Sequence, residues 1–300
     1  MSPGGDPHGI VIVDKPEGPT SHAIVARARR AWGLRRVGHA GTLDPLATGL
    51  LILGLGSATR LLGHLSGQGK EYVATIVLGV STVTDDAQGE VASAAGAHLD
   101  AAAVLEAMAP WRGTVRQRPS AISAVHIDGR RAHERVRSGE DVEIPEREVT
   151  IESFDLLGIR QSSAHGVPVT LVDVRVDCSS GTYVRALARD VGATLGVGGH
   201  ITALRRTRSG AFTLQDACDE SDLGTVMPIP AGEAARRSMP WVDVPADQVR
   251  SIVHGVQIPW PVSAPAEGTV ALLHQGDLLA LAERRGEVAA YSAVLSGDRD

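Results

Sequence analysis

Apolar positions in this chain gather into short runs with a period of two, or into unbroken runs, more often than into helical stripes. Gly9-Ile10-Val11-Ile12-Val13-Asp14 is β-branched and stops at Lys15-Pro16-Glu17-Gly18-Pro19, which predicts a buried strand entering a tight turn. Lys70–Gly79, Val149–Ile159 and Val167–Val176 alternate as half-buried strands do, and Gly113–Gln117 and Ala121–Ile127 read as shorter ones. Helical spacing is clearest from Ser21 to Trp32, where Ile24 and Val25 oppose Arg27, Arg29 and Arg30 and Ser21 is placed to cap the first turn. A second helix is expected from Leu99 to Met108, closed by Pro110, and a basic one from Arg130 to Gly139. After Cys178 the small residues Ser179-Ser180-Gly181-Thr182 turn a strand into a helix, with Tyr183 and Arg185 in its first turn. His200–Arg208 reads as a strand or turn with a basic face, and residues 216 to 239 as a closing helix and a linker. From about Pro240 the pattern changes to short strands at Trp241–Val244, Val253–Gly255, Gly268–Leu273, Leu278–Ala282 and Val288–Val294, which predicts a small β-barrel-like appendage.

Composition adds bounds to this picture. Three hundred residues with 43% hydrophobic content suffice for a large domain and a small one, and no apolar run is long enough to span a membrane. The start carries no basic, apolar leader, so a soluble cytoplasmic protein is expected. Cys178 and Cys218 lie far apart without CxxC spacing, which supports neither a disulfide framework nor a zinc site.

The net charge of -6 conceals an uneven distribution. Residues 1 to 70 hold 8 basic and 4 acidic side chains, 111 to 137 hold 7 and 2, and 175 to 210 hold 6 and 2, whereas 211 to 300 hold 6 and 13. Three positive blocks are thus available to phosphates behind an acidic tail. Of the 29 basic residues only Lys15 and Lys70 are lysine, which marks both as places where a compact ammonium matters.

The densest chemistry lies in Gly38-His39-Ala40-Gly41-Thr42-Leu43-Asp44-Pro45-Leu46-Ala47-Thr48-Gly49-Leu50-Leu51, a loop built to present side chains. Taken alone, Asp44-Pro45 reads as a turn, or as a cap on a following apolar helix. Gly54-Leu55-Gly56 and Gly63–Lys70 fail as nucleotide-binding loops: the first lacks its third glycine, and the second has the wrong glycine spacing and Glu71 in place of a hydroxyl.

Asp14-Lys15-Pro16-x-Gly18-x-x-Ser21, the Gly38–Gly49 stretch, Lys70-Glu71-Tyr72, Gly181-Thr182-Tyr183-Val184-Arg185 and Leu204-Arg205-Arg206 resemble, in that order, the motifs of bacterial TruB-type tRNA pseudouridine(55) synthases. The resemblance covers roughly residues 9 to 215. It implies an α+β fold with a mixed, largely antiparallel sheet over residues 1–235, an RNA-clamping insertion at about 116–147, and a PUA-like RNA-binding domain over 240–300. It implies isomerisation of uridine 55 in the T-arm of tRNA, no cofactor or metal, a monomer, and an added role in tRNA folding; a non-catalytic RNA-folding module is the alternative.

By the same resemblance Asp44 is the catalytic carboxylate, acting as nucleophile or as base on the sugar. Arg185 would hold Asp44 ionised. Tyr72 would stack on the uracil and is a candidate acceptor for the C5 proton. His39 would support the remodelled T-loop after the base leaves its stack. Tyr183 and Leu204 would line the base pocket with Asp86 close by, and Lys15 would brace the catalytic loop or meet phosphate.

Overall fold

The computed structural model describes residues 7–120, 126–127, 130–131 and 145–295. In chain order its elements are β1 (Gly9–Lys15), α1 (Ser21–Trp32), β2 (Val37–Ala40), β3 (Thr48–Leu55), α2 (Leu62–Ser66), β4 (Lys70–Leu78), β5 (Val80–Thr82), β6 (Val91–Ala94), α3 (Ala101–Met108), β7 (Gly113–Gln117), β8 (His126–Ile127) and β9 (Arg130–Arg131). They continue as β10 (Arg147–Ala164), β11 (Val167–Cys178), α4 (Val184–Thr194), β12 (Gly199–Ser209), β13 (Phe212–Thr213), β14 (Cys218–Asp219), α5 (Ala231–Ser238), β15 (Trp241–Asp243), α6 (Ala246–Val253), β16 (Val270–His274), β17 (Asp277–Arg285) and β18 (Val288–Val294). The chain forms two compact units, one of residues 1–45, 49–67 and 209–300, the other of 46–48 and 68–208.

In the first unit β1 and β3 run antiparallel, from Gly9 opposite Leu55 to Lys15 opposite Gly49. β2 also pairs antiparallel with β3, and β14 lies parallel to β1. Burial explains the unbroken apolar run of β3: every residue from Gly49 to Leu55 is enclosed, so alternation would put polar groups out of reach of water. Ile10, Ile12, Leu50, Ile52, Leu61 and Phe212 form a core with Leu273 and Leu278 from the C-terminal sheet. At roughly 25 cal/mol per Å2 of apolar surface, each such side chain contributes about 2 kcal/mol.

That C-terminal sheet has the order β15-β16-β17-β18. Its pairs are antiparallel except β15 with β16, and its own core includes Val242, Ile252, Trp260 and Leu272. The strand expected at Val253–Gly255 is the end of a helix instead. Val249, Ile252 and Val253 follow helical spacing and pack on this core, and Gly255, at φ 73°, closes the turn.

The second unit is built on long antiparallel pairs. β4 lies against β11 from Lys70 opposite Cys178 to Leu78 opposite Thr170, and β11 forms a hairpin with β10. β10 pairs in turn with β7, where Arg147 stands opposite Gln117, and β12 neighbours β4. Val172, Val174 and Val176 supply the buried face of β11. The architecture is α+β with mixed, largely antiparallel pairing and a small C-terminal β-sheet domain, as expected.

Two further local expectations change. The residues after Asp44-Pro45 form a strand, so Asp44 caps no helix. Arg130–Arg131 pair with His126–Ile127 as strands, so no helix begins at Arg130, and residues 132–139 lie outside the described residues, as does most of the expected insertion at 116–147. No described helix is long and apolar enough to cross a membrane.

Candidate active site

The Asp44 loop is assembled within the first unit. Lys15, the last residue of β1, is 0% exposed, and its Nζ donates to the carbonyls of Pro16 at 2.8 Å, Pro19 at 2.8 Å and Pro45 at 3.4 Å. An ammonium carries three donors, so three converging carbonyls suit it. The Pro45 carbonyl also accepts from the Gly18 N–H at 2.8 Å, and Gly18 occupies φ 107°, a conformation costly for other residues. On the other side of Asp44, the buried Ser21 hydroxyl donates to the Leu43 carbonyl at 3.0 Å and accepts from the Leu43 N–H at 2.8 Å. Both neighbours of Asp44 are therefore pinned, and its half-buried carboxylate is carried on a braced backbone.

Ser21 was the expected cap of α1, but its hydroxyl is committed to Leu43. Thr20 takes the capping role and accepts from the Ala23 N–H at 3.1 Å. His39, on β2 opposite Leu53, is half-buried, and its ring stands T-shaped to that of His22 with centroids 5.1 Å apart.

Five expected site residues belong to the second unit. Tyr72, on β4 opposite Val176, is 8% exposed, and Leu204 stands on the neighbouring β12, also 8% exposed. Arg185 and Asp86 are joined in a buried ion pair, Nη1 to Oδ2 at 3.1 Å, and the same nitrogen donates to the Thr84 carbonyl at 3.0 Å. Asp86 Oδ1 accepts from Thr84 Oγ1 at 2.6 Å and from the Gln88 N–H at 3.0 Å, which sets the carboxylate in its turn. That turn docks on β12 through Ile201 N–H to the Asp85 carbonyl at 3.1 Å and Ala87 N–H to the Ile201 carbonyl at 2.9 Å. Asp86 is thus the carboxylate that orients Arg185. Tyr183 immediately precedes α4 in extended conformation, and the Arg147 guanidinium lies over its ring at 5.3 Å from the centroid.

Several participants escaped the sequence reading. Arg189, one turn beyond Arg185, donates to Asp85 Oδ2 at 3.1 Å, Asp190 Oδ1 at 2.9 Å and the Arg118 carbonyl at 2.8 Å. Burial pushes the Asp85 and Asp190 carboxyls up, and the Arg189 charge pulls each back down. Gln117, 1% exposed, brackets Tyr183, with Nε2 donating to its carbonyl at 3.0 Å and Oε1 accepting from its N–H at 2.8 Å. An i, i+4 spacing links Arg185 to Arg189, but nothing local marks a glutamine at a strand end. Lys70, which the scarcity of lysine did mark, starts β4 and donates to the Gln68 carbonyl at 2.7 Å; burial first and the nearby Arg206 second lower its pKa to about 8.

Among the described residues no group of three His, Cys, Asp or Glu side chains is arranged to hold a metal ion. The first unit offers a carboxylate on a fixed loop and the second a buried, oriented guanidinium and an enclosed phenol, groups suited to acid–base and nucleophilic work.

Residues 29–184 match the N-terminal domain of the TruB family of pseudouridylate synthases, and residues 185–234 match the C-terminal domain of tRNA pseudouridylate synthase B. The tRNA pseudouridine synthase B of Cutibacterium acnes is 52% identical over 277 residues, covering 91% of this chain and 92% of the relative. That of Thermobifida fusca is 49% identical over 296 residues, covering 96% and 99%. Among solved structures, a chain of a Cbf5-Nop10-Gar1 complex superposes with a TM-score of 0.72 at 25% identity, over 96% of this chain and 85% of that one. The archaeal box H/ACA sRNP Nop10-Cbf5 complex contains a chain with a TM-score of 0.72 at 24% identity, over 98% and 88%, a likeness of fold.

Proposed function

The chain belongs to the TruB family of tRNA pseudouridine synthases and is an isomerase, and we propose that it converts uridine 55 in the T-arm of tRNA to pseudouridine with Asp44 as its catalytic carboxylate. The reaction breaks the N1–C1′ bond, turns the uracil, joins C5 to C1′, moves the C5 proton to a base and leaves a proton on N1. No net oxidation occurs. The observation that carries the reading is the pinning of Leu43 and Pro45 around Asp44 by Ser21, Gly18 and Lys15. A carboxylate acting on the sugar, as nucleophile or as base, gains most from such prior placement.

The remaining residues take the roles their positions favour. The charge of Arg185, oriented by Asp86, favours ionised carboxylate at the site. Tyr72 offers a ring to the uracil and a phenol for the C5 proton, with Tyr183 and Leu204 as pocket walls. His39 supports the loop from which the uridine has been turned out. Lys15 acts through its carbonyl contacts as the brace of the loop. The insertion at 116–147 grips the T-arm through shape and phosphates, and the sheet of 240–300 adds a second RNA contact.

Asp44→Asn tests the proposal. Pseudouridine formation on a T-arm transcript is expected to fall by at least ~10³-fold with RNA affinity little changed, and normal turnover by this variant would overturn the assignment. A tRNA-folding role would persist in the same variant.

A further inference from the structure

We infer that Gln117 is a positioning residue for the isomerisation, holding Tyr183 in place from the end of β7 with Arg147 as its partner. The inference rests on the reading that Tyr183 lines the uridine site.

Gln117 is almost wholly enclosed, and both polar atoms of its amide are committed to one residue: Nε2 donates to the Tyr183 carbonyl at 3.0 Å and Oε1 accepts from the Tyr183 N–H at 2.8 Å. A buried amide destabilises a fold unless its hydrogen bonds are met, and packing alone would be served better by leucine or methionine. The paired bonds act on Tyr183 as a neighbouring strand would, fixing its backbone in the extended form at φ -109°, ψ 106°. This is the residue at which strand-to-helix geometry is decided. It has no side-chain cap, and its carbonyl also begins α4 by accepting from the Leu187 N–H at 3.2 Å.

Arg147 is the register partner of Gln117 across β7 and β10, and its guanidinium lies 5.3 Å from the centre of the Tyr183 ring. One cross-strand pair thus takes hold of the backbone and the ring of the same tyrosine, the first by hydrogen bonds and the second by cation–π attraction. One further tie joins the chain just beyond Gln117 to the same region: the Arg118 carbonyl accepts from Arg189 Nη2 at 2.8 Å. A small displacement of a group that shapes a reacting base costs rate rather than affinity, up to about 10²-fold for about 1 Å.

The test is single-turnover pseudouridine formation on a T-arm transcript, with RNA affinity and thermal midpoint measured alongside. Gln117→Ala is expected to lower the rate constant by about 10- to 100-fold with RNA affinity within about twofold. The loss should shrink below about threefold when Tyr183→Ala is already present, because the two act through one ring. Arg147→Ala, which removes no buried group, keeps the inference testable should Gln117→Ala fold poorly; it is expected to lose about threefold or more in rate and to show the same non-additivity. Unchanged rates, or losses that simply multiply with that of Tyr183→Ala, would overturn the inference. A wild-type protein that makes no pseudouridine would instead refute the proposed function.

Discussion

Lys15 and Arg185 are both enclosed cations, at 0% and 4% exposure, yet the molecule holds them by different chemistry. Lys15 gathers the main-chain carbonyls of Pro16, Pro19 and Pro45, so its charge is spent on shaping backbone. Arg185 bridges the Asp86 carboxylate and the Thr84 carbonyl, so its side chain is the object being shaped. The difference follows from the two head groups. An ammonium serves several directions at once from one point, whereas a planar guanidinium is aimed by the groups along its edge. Fixing a loop and aiming a charge are separate tasks, and each cation suits its own.

The largest effect is expected at the ion pair. Asp86→Asn leaves the Arg185 charge enclosed without that carboxylate, a change that costs about 3–5 kcal/mol at buried pairs. Denaturant unfolding without RNA measures it, and a loss below about 1 kcal/mol would show that Asp86 is not the main support of Arg185. Lys15→Met comes next. It strips the shared donor from three carbonyls and is expected to lower stability by about 2 kcal/mol and the rate of pseudouridine formation by about 10²-fold. A stability loss with full rate would separate the brace from the placement of Asp44.

The smallest effect sharpens the contrast with the second unit's own lysine. Burial lowers Lys70 from 10.5 to about 8 in the folded protein, so between those values the unfolded chain holds the proton that the folded chain has released. In that window stability rises with pH. The wild type should therefore gain on Lys70→Met as pH is raised from 7 through 8 to 10, as read from paired unfolding midpoints. A difference that stays flat would place the Lys70 titration outside this window.

Much of this arrangement was legible in residue order. The β-branched run of β1, the helical spacing of α1 and the alternation of β10 and β11 appear almost as drawn, because each is settled by local burial pattern. Val253–Gly255 misled because three residues cannot distinguish a short strand from a helix end; Val249, three positions before Ile252 and four before Val253 on the same face, decides it. Ser21 and Thr20 are both good caps, and only the tertiary contact with Leu43 removes one from the competition. The ties of Gln117 to Tyr183 and of Asp86 to Arg185 span 66 and 99 residues, distances over which spacing carries no signal.

The enclosure of Lys15 and Lys70, the only two lysines of the chain, has a chemical consequence. Reagents that acylate side-chain amines meet no exposed lysine on the native protein, so apart from the amino terminus they react only as the fold opens. Lysine acylation followed by mass spectrometry would then act as a clock for opening, with one hand on the Asp44 loop and the other at the start of β4.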